Sequence, residues 1–324
     1  MMKRPLALIA VVGLLLSMLV VAPGAAVAGP GSGASTTGEL IAFSSVVNGR
    51  AQLFTIRPDG SGLRQVITSH PELDLARPDW SPDGRTIVFE WANDEEGQLG
   101  SVGVDGKNLR LRPVTDSAAG DPTYSRDGKW LYFEKFDFAT EVDAIFRTRP
   151  DWRGETQVTF PPTGYYDTDP SVSPDGRRLS FVRIREGDDK QAALFVLELR
   201  TGRERQVTPY SYNVAVKQDW TPDGKRLTFT RDGHEMVSGI SSNVMTITPM
   251  GRGLRNVTHY SGGETRALVG SYSKDGRWIV YREESPSGAR LMKIRPDGTG
   301  ARVILDRPGM VPRYIDWGPG IRRR

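Results

Sequence analysis

Five segments of this chain repeat one pattern in register. They are PDWSPDGRTIVFE (78–90), PTYSRDGKWLYFE (122–134), PSVSPDGRRLSFV (170–182), KQDWTPDGKRLTFT (217–230) and GSYSKDGRWIVY (270–281). Their turn glycines, Gly84, Gly128, Gly176, Gly224 and Gly276, lie 44 to 52 residues apart. A fixed period of that length restricts the chain to an architecture of stacked or circularly arranged units. Each segment reads as a hairpin: a strand ending in an aromatic or Val (Trp80, Tyr124, Val172, Trp220, Tyr272), a Ser/Thr-x-Asp-Gly turn, and a strand of β-branched and aromatic residues. Glycine supplies the positive φ of such a turn without steric cost.

A second hairpin follows each of these about twenty residues later. It occurs six times, beginning at Leu53, Leu99, Ile145, Leu194, Val244 and Leu291. Two hairpins give four strands per repeat, the composition of a propeller blade. The sixth first hairpin is split between the ends. Glu39-Leu40-Ile41-Ala42-Phe43 reads as a second strand with no first, and Tyr314-Ile315-Asp316-Trp317 as a first strand with no second. The expected fold is therefore an all-β, six-bladed β-propeller of four-stranded antiparallel blades over residues 38–319. The C-terminal strand completes the first blade and closes the ring, which removes two exposed edges. A linear solenoid would need capping repeats instead.

The repeat PxWSPDGRxIVF resembles that of the TolB-like, WD40-like β-propeller family of bacterial exported proteins, and the resemblance runs from Leu40 to about Pro319. It implies docking of cell-envelope proteins or peptides. TolB also carries an N-terminal α/β domain, which this sequence lacks. The family includes propellers of prolyl-oligopeptidase-like and tricorn-like peptidases, whose separate catalytic domain has no counterpart here.

The N-terminus indicates export. Met1-Met2-Lys3-Arg4 is basic, Leu6 to Ala22 is apolar, and Ala26-Val27-Ala28 offers small residues for signal peptidase. Residues 1–28 are thus expected to be a cleaved signal peptide, leaving no stable membrane span, and 29–37 a flexible linker. The formal charge of +4 includes Lys3 and Arg4, and no basic stripe points to nucleic acid. Residues 320–324 form a basic tail. The mature protein is expected to be periplasmic or extracellular and monomeric.

Catalytic signatures are sparse. The chain has no cysteine and three histidines, so thiolate chemistry and cysteine metal sites are excluded. His234-Glu235 starts like a zincin motif, but Ser238 stands where the second His is needed. No Gly-x-Ser-x-Gly elbow or phosphate-binding glycine loop is present. The turn aspartates Asp83, Asp127, Asp175, Asp223 and Asp275 recur with the fold and are read as structural. Asp79, Asp219 and Asp316 precede the blade tryptophans. They are expected to bond neighbouring blades, with a channel cation such as calcium as the alternative. No other cofactor is expected. The acidic runs Asp94-Glu95-Glu96 and Asp188-Asp189 read as solvated.

Loops leading into the later blades are rich in tyrosine, which combines a large ring with a hydroxyl at low entropic cost. Tyr165, Tyr166, Asp167, Asp169, Tyr210, Tyr212, His259, Tyr260, Glu264 and Arg266 are expected to gather at the channel mouth and bind an envelope protein, peptide or glycan. The mid-blade loops Asp232–Ser242 and Phe136–Phe138 would rim it. The alternative is a polysaccharide hydrolase or lyase with convergent carboxylates there, Asp167, Asp169, Asp232 and Glu264 first among them. A third reading is a structural or sensory propeller that docks through its turn-rich face.

Overall fold

A computed structural model describes residues 38–93, 97–113, 116–215, 217–232 and 241–320. The signal segment, the linker, Asp94-Glu95-Glu96, His234-Glu235 and the terminal arginines lie outside the described residues. The strands form six four-stranded antiparallel sheets. Blade 1 runs Arg313–Trp317, Ile41–Val47, Arg50–Ile56 and Arg64–Gln65 from the channel outwards. Its inner strand comes from the C-terminus, with Ile41 opposite Trp317 and Ala42 opposite Asp316. The ring closes as the split hairpin requires.

The inner strands of blades 2 to 6 are Asp74–Trp80, Ser117–Tyr124, Tyr165–Val172, Gln218–Trp220 and Arg266–Tyr272. The last aromatic of each repeat holds the same place in the second strand. Phe43, Phe89, Phe133, Phe181, Phe229 and Tyr281 are all fully buried. Burying one such ring stabilises the fold by about 1.5–3 kcal/mol, which explains why the repeat keeps an aromatic there. The tryptophans join blades through their indole N–H: Trp80 Nε1 donates to Asp316 O at 3.2 Å and Trp220 Nε1 to Ser171 O at 3.1 Å. Gly318 passes so close over the Trp80 ring that a β-carbon there would strike it.

The Ser/Thr-x-Asp-Gly turn is one hydrogen-bonded unit repeated five times. In blade 4, Ser173 Oγ donates to Asp175 Oδ1 at 2.6 Å and accepts from Arg178 N at 2.9 Å, while Asp175 Oδ1 accepts from Arg177 N at 3.0 Å. Gly176 supplies φ of 68°. Ser81–Asp83, Ser125–Asp127, Thr221–Asp223 and Ser273–Asp275 repeat the side-chain contact. The turn aspartates are therefore structural. Ser173→Ala leaves the half-buried Arg178 N–H without its side-chain acceptor, and is expected to cost about 1 kcal/mol in urea unfolding.

Candidate functional site

The inner strands do not run straight past the channel. In blades 1, 2, 3, 4 and 6 the register between inner and second strand shifts, between Arg313 and Asp316, Ala76 and Asp79, Gly120 and Thr123, Thr168 and Ser171, and Val269 and Tyr272. Such a bulge re-aims a side chain. Four inner-strand residues, and Lys217 just before the inner strand of blade 5, take left-handed backbone conformations: Arg77 (φ 52°), Asp121 (48°), Asp169 (54°), Lys217 (81°) and Tyr314 (50°). Each costs on the order of 1 kcal/mol for a residue other than glycine. All five line the central channel, with Asp79, Asp219 and Asp316 one step further along.

Arg77 is the hub of this ring. Its Nε lies 3.1 Å from Glu90 Oε2, its Nη1 bonds Asp121, and its guanidinium stacks 4.6 Å from the Tyr314 ring centre. Thr168 Oγ1 bridges Asp121 and Glu134. Burial alone would raise Asp121, but Arg77 and the surrounding hydrogen bonds outweigh it and hold that carboxyl below its usual range. Glu134 goes the opposite way. Burial first, then Asp143 and Asp121, push it well up. Across the channel, the Lys217 backbone N–H bonds Asp169, and Lys217 Nζ lies 3.8 Å from Asp316 Oδ1. Burial lowers the Lys217 ammonium, but Asp316, Asp79 and Asp169 more than reverse this.

The next layer binds blade to blade. Asp79 Oδ1 accepts from Tyr124 N at 3.0 Å, Asp219 Oδ2 from Tyr272 N at 2.9 Å, Asp316 Oδ2 from Trp80 N at 3.2 Å, and Ser271 Oγ from Trp317 N at 2.6 Å. The aspartates before the tryptophans thus join neighbouring blades, as the repeat suggested. The cavity that these residues line is about 30 Å³, room for a few waters at most. Among the described residues no three His, Cys, Asp or Glu side chains are arranged to hold a metal ion. Arg77 and Lys217 place the cationic groups of the protein itself among the carboxylates.

The residues singled out by sequence are distributed more widely than expected. Tyr165 and Tyr210 do meet, with ring centres 5.5 Å apart. Tyr166 and Tyr212 pack half-buried into the core between blades 4 and 5, where Arg231 lies over Tyr212 at 4.5 Å. Tyr260 stands apart, bonding Glu283 and lying 3.1 Å from Tyr281 Oη. His259 is exposed beside Gly298 in the outer hairpin turn of blade 6, away from the mouth. The outer strands are only two to four residues long, so the loops after them start low on the rim. His259 lies on that low part.

Two of the carboxylates expected at the mouth are inside the protein. Asp167 is wholly buried and accepts from Arg183 Nε at 2.6 Å and Nη2 at 2.8 Å, with Glu204 on the other side of the guanidinium at 2.9 Å. Asp169 is buried in the channel ring, where burial and Asp121 push it up to about 7. Asp232 lies 3.3 Å from Arg231 Nε, and Glu264 is exposed. The four do not converge. Sequence reasoning passed over Arg77, Glu90, Asp121, Glu134, Lys217 and Tyr314. A signal was present: Arg77, Asp121, Asp169 and Lys217 each occupy the place just before Pro or Gln in the aligned repeat.

Fold and site together define a six-bladed β-propeller with a charged channel. No family model matches the chain. It is similar to TolB from Acinetobacter baumannii, with a TM-score of 0.68 at 17% identity over 88% of this chain and 67% of that one. It is 30% identical over 172 residues to the TolB homolog of Chlorobium luteolum, covering 53% of this chain and 37% of the homolog. It is 26% identical over 196 residues to an uncharacterized peptidase, YuxL, of Bacillus subtilis, covering 50% of this chain and 29% of that protein. The matches to these two relatives thus span well under half of their length.

Proposed function

We propose that this protein is an exported binding module that docks a cell-envelope protein or peptide on the channel-mouth face. The observation that carries the reading is the charge-filled channel. The side chains that line it bond one another across blades, which leaves little of its lining for a saccharide or peptide. A ligand is left with the mouth, where Tyr165 opens the inner strand of blade 4 and Tyr210 and Glu264 lie on the segments leading into blades 5 and 6. The likeness to TolB supports a protein partner, and the basic, apolar and small-residue order of residues 1–28 supports export.

The test is capture from envelope extract on the immobilised full chain, beside a Tyr165→Ser/Glu264→Lys variant whose fold is checked by circular dichroism. A defined envelope protein retained by the wild type and reduced about tenfold or more by the variant is expected. Equal retention would move the site off this face. Retention of nothing, with turnover of an acidic polysaccharide, would replace docking by catalysis.

A further inference from the structure

Every blade is an antiparallel meander. Its first and third turns therefore lie at one end of the ring, and its middle loop and the connection to the next blade at the other end, the mouth. Charge divides between these ends. In the five Ser/Thr-x-Asp-Gly turns, the six outer-hairpin turns and the residue that opens each outer strand, lysine and arginine number 20 against 10 acids. That surplus exceeds the formal charge of +4 on the whole chain. In the loops and connections at the mouth end, the described residues carry seven acids and three cations, so the sign reverses. The basic pattern repeats with the blades. Arg85, Lys129, Arg177, Lys225 and Arg277 follow the five turn glycines, all of them exposed. The turn aspartates partly offset them, as Asp223 does Lys225 at 3.4 Å, and most of the surplus comes from the outer hairpins. There Arg64, Arg110, Arg203, Arg255 and Arg302 open five of the six outer strands. Dispersed over so many turns, the charge makes no run in the sequence; closing the ring gathers it on one face.

Apolar groups share this face. Trp130 and Trp278 end the first turns of blades 3 and 6 and are half-buried. Arg147 lies 4.5 Å from the Trp130 ring centre and Lys293 5.0 Å from that of Trp278. Met250 and Leu254, on the outer turn of blade 5, are 52% and 36% exposed. Indoles and apolar side chains set among cations suit the level where lipid headgroups meet acyl chains. Both ends of the described chain reach the same face: Gly318 N donates to Leu40 O at 2.8 Å, and a β-carbon on Gly320 would lie 3.5 Å from Glu39. The residues beyond them leave from this face, among them the apolar run Leu6 to Ala22 on one side and Arg322-Arg323-Arg324 on the other.

We propose that the turn-rich face docks on an anionic phospholipid membrane, with the channel mouth turned away from the lipid. Cations distributed round the whole ring match a planar, uniform negative charge better than they match one acidic segment, which would need them concentrated on one side. Each cation near such a surface adds to its attraction. The apolar side chains and the two chain ends add contacts that a soluble anion would not use. This surface is distinct from the mouth and does not depend on what docks there.

The experiment is co-sedimentation of the full chain with vesicles of equimolar phosphatidylglycerol and phosphatidylcholine, beside vesicles of phosphatidylcholine alone. The apolar run contributes to both, so the ratio of the two partition coefficients reports the basic face. That ratio is expected to be well above one at low salt and to fall as salt is added. Lys225→Gln/Arg277→Gln is expected to lower it about tenfold or more. These side chains are 80% and 81% exposed, so the thermal midpoint should hold. Arg252→Gln/Arg255→Gln, on the outer turn of blade 5, gives a second pair with the same expected loss. Arg185→Gln/Arg307→Gln removes two cations at the mouth end and should leave the ratio unchanged. Equal partition into both kinds of vesicle overturns the proposal, because the apolar run alone would then hold the protein. An equal loss from the mouth-end pair overturns it as well, since net charge and not this face would be responsible. Displacement from the vesicles by hexaglutamate at the same concentration of charge would replace the membrane by an acidic protein segment.

Discussion

Arg77→Ala is expected to lower the unfolding free energy by about 3–5 kcal/mol at neutral pH, which denaturant unfolding of the full chain would measure. The guanidinium is buried among Glu90, Asp121 and the Tyr314 ring, and its loss leaves the carboxylates facing one another in a channel with room for only a few waters. Relief of the left-handed backbone at Arg77, φ 52°, recovers little with alanine, which is strained there as well. An Arg77→Gly variant separates the two effects and should be less damaging by about 1 kcal/mol. The penalty should shrink towards pH 5, where Glu90, pushed up to about 7 by burial against the pull of Arg77, takes a proton. Full stability of Arg77→Ala at pH 7.5 would mean that water reaches this layer freely and solvates its carboxylates.

The repeat made the fold legible because its constraints are local. A turn that needs Gly176 at positive φ, a serine that closes it and an aromatic that fills a blade can each be recognised within a dozen residues. The split blade was legible too, since two half-hairpins at opposite ends can be completed only by each other. The site was not legible in this way. Asp167 and Asp169 are two residues apart on one strand, yet Asp167 meets Arg183 on the neighbouring strand and Asp169 bonds the backbone of Lys217 in the next blade. The bulge between Thr168 and Ser171 separates these two environments, and its one local sign, Asp169 standing just before Pro170, does not say which partner each aspartate meets. Tyrosine-rich loops looked like a surface because tyrosine is common on surfaces that bind. In a propeller the same ring also seals the seam between blades, and Tyr166 and Tyr212 do that here.

The channel layer should also make this protein less stable as the pH rises, contrary to the behaviour of a fold held by ion-paired carboxylates. Burial, reinforced by Asp316, pushes Asp79 up to about 8; burial above all pushes Asp169, Asp219 and Glu90 to about 7. In the unfolded chain these groups ionise near pH 4. Between about pH 4 and their folded values the native state holds protons that the unfolded state has released, so the unfolding free energy falls with rising pH. Each group contributes at most about 1.4 kcal/mol per pH unit over that range. Asp121 and the turn aspartates Asp83, Asp127, Asp175, Asp223 and Asp275 are shifted down, and their contribution is lost only as the pH falls below about 4. The thermal midpoint should therefore peak under mildly acidic conditions and decline towards pH 8.5. Asp79→Asn isolates one proton of this effect. Its Oδ1 can still accept from Tyr124 N, and its amide can donate to Thr123 Oγ1, the two partners that Asp79 has at 3.0 Å. At pH 5 the wild-type carboxyl is already protonated and the variant should match it. At pH 8.5 the wild type carries a charge beside Asp316 that the variant lacks, and the variant should be the more stable of the two. A midpoint that rises from pH 5 to 8.5, or a variant that trails the wild type equally at both ends, would show that the layer is hydrated and that its aspartates ionise as they do in water.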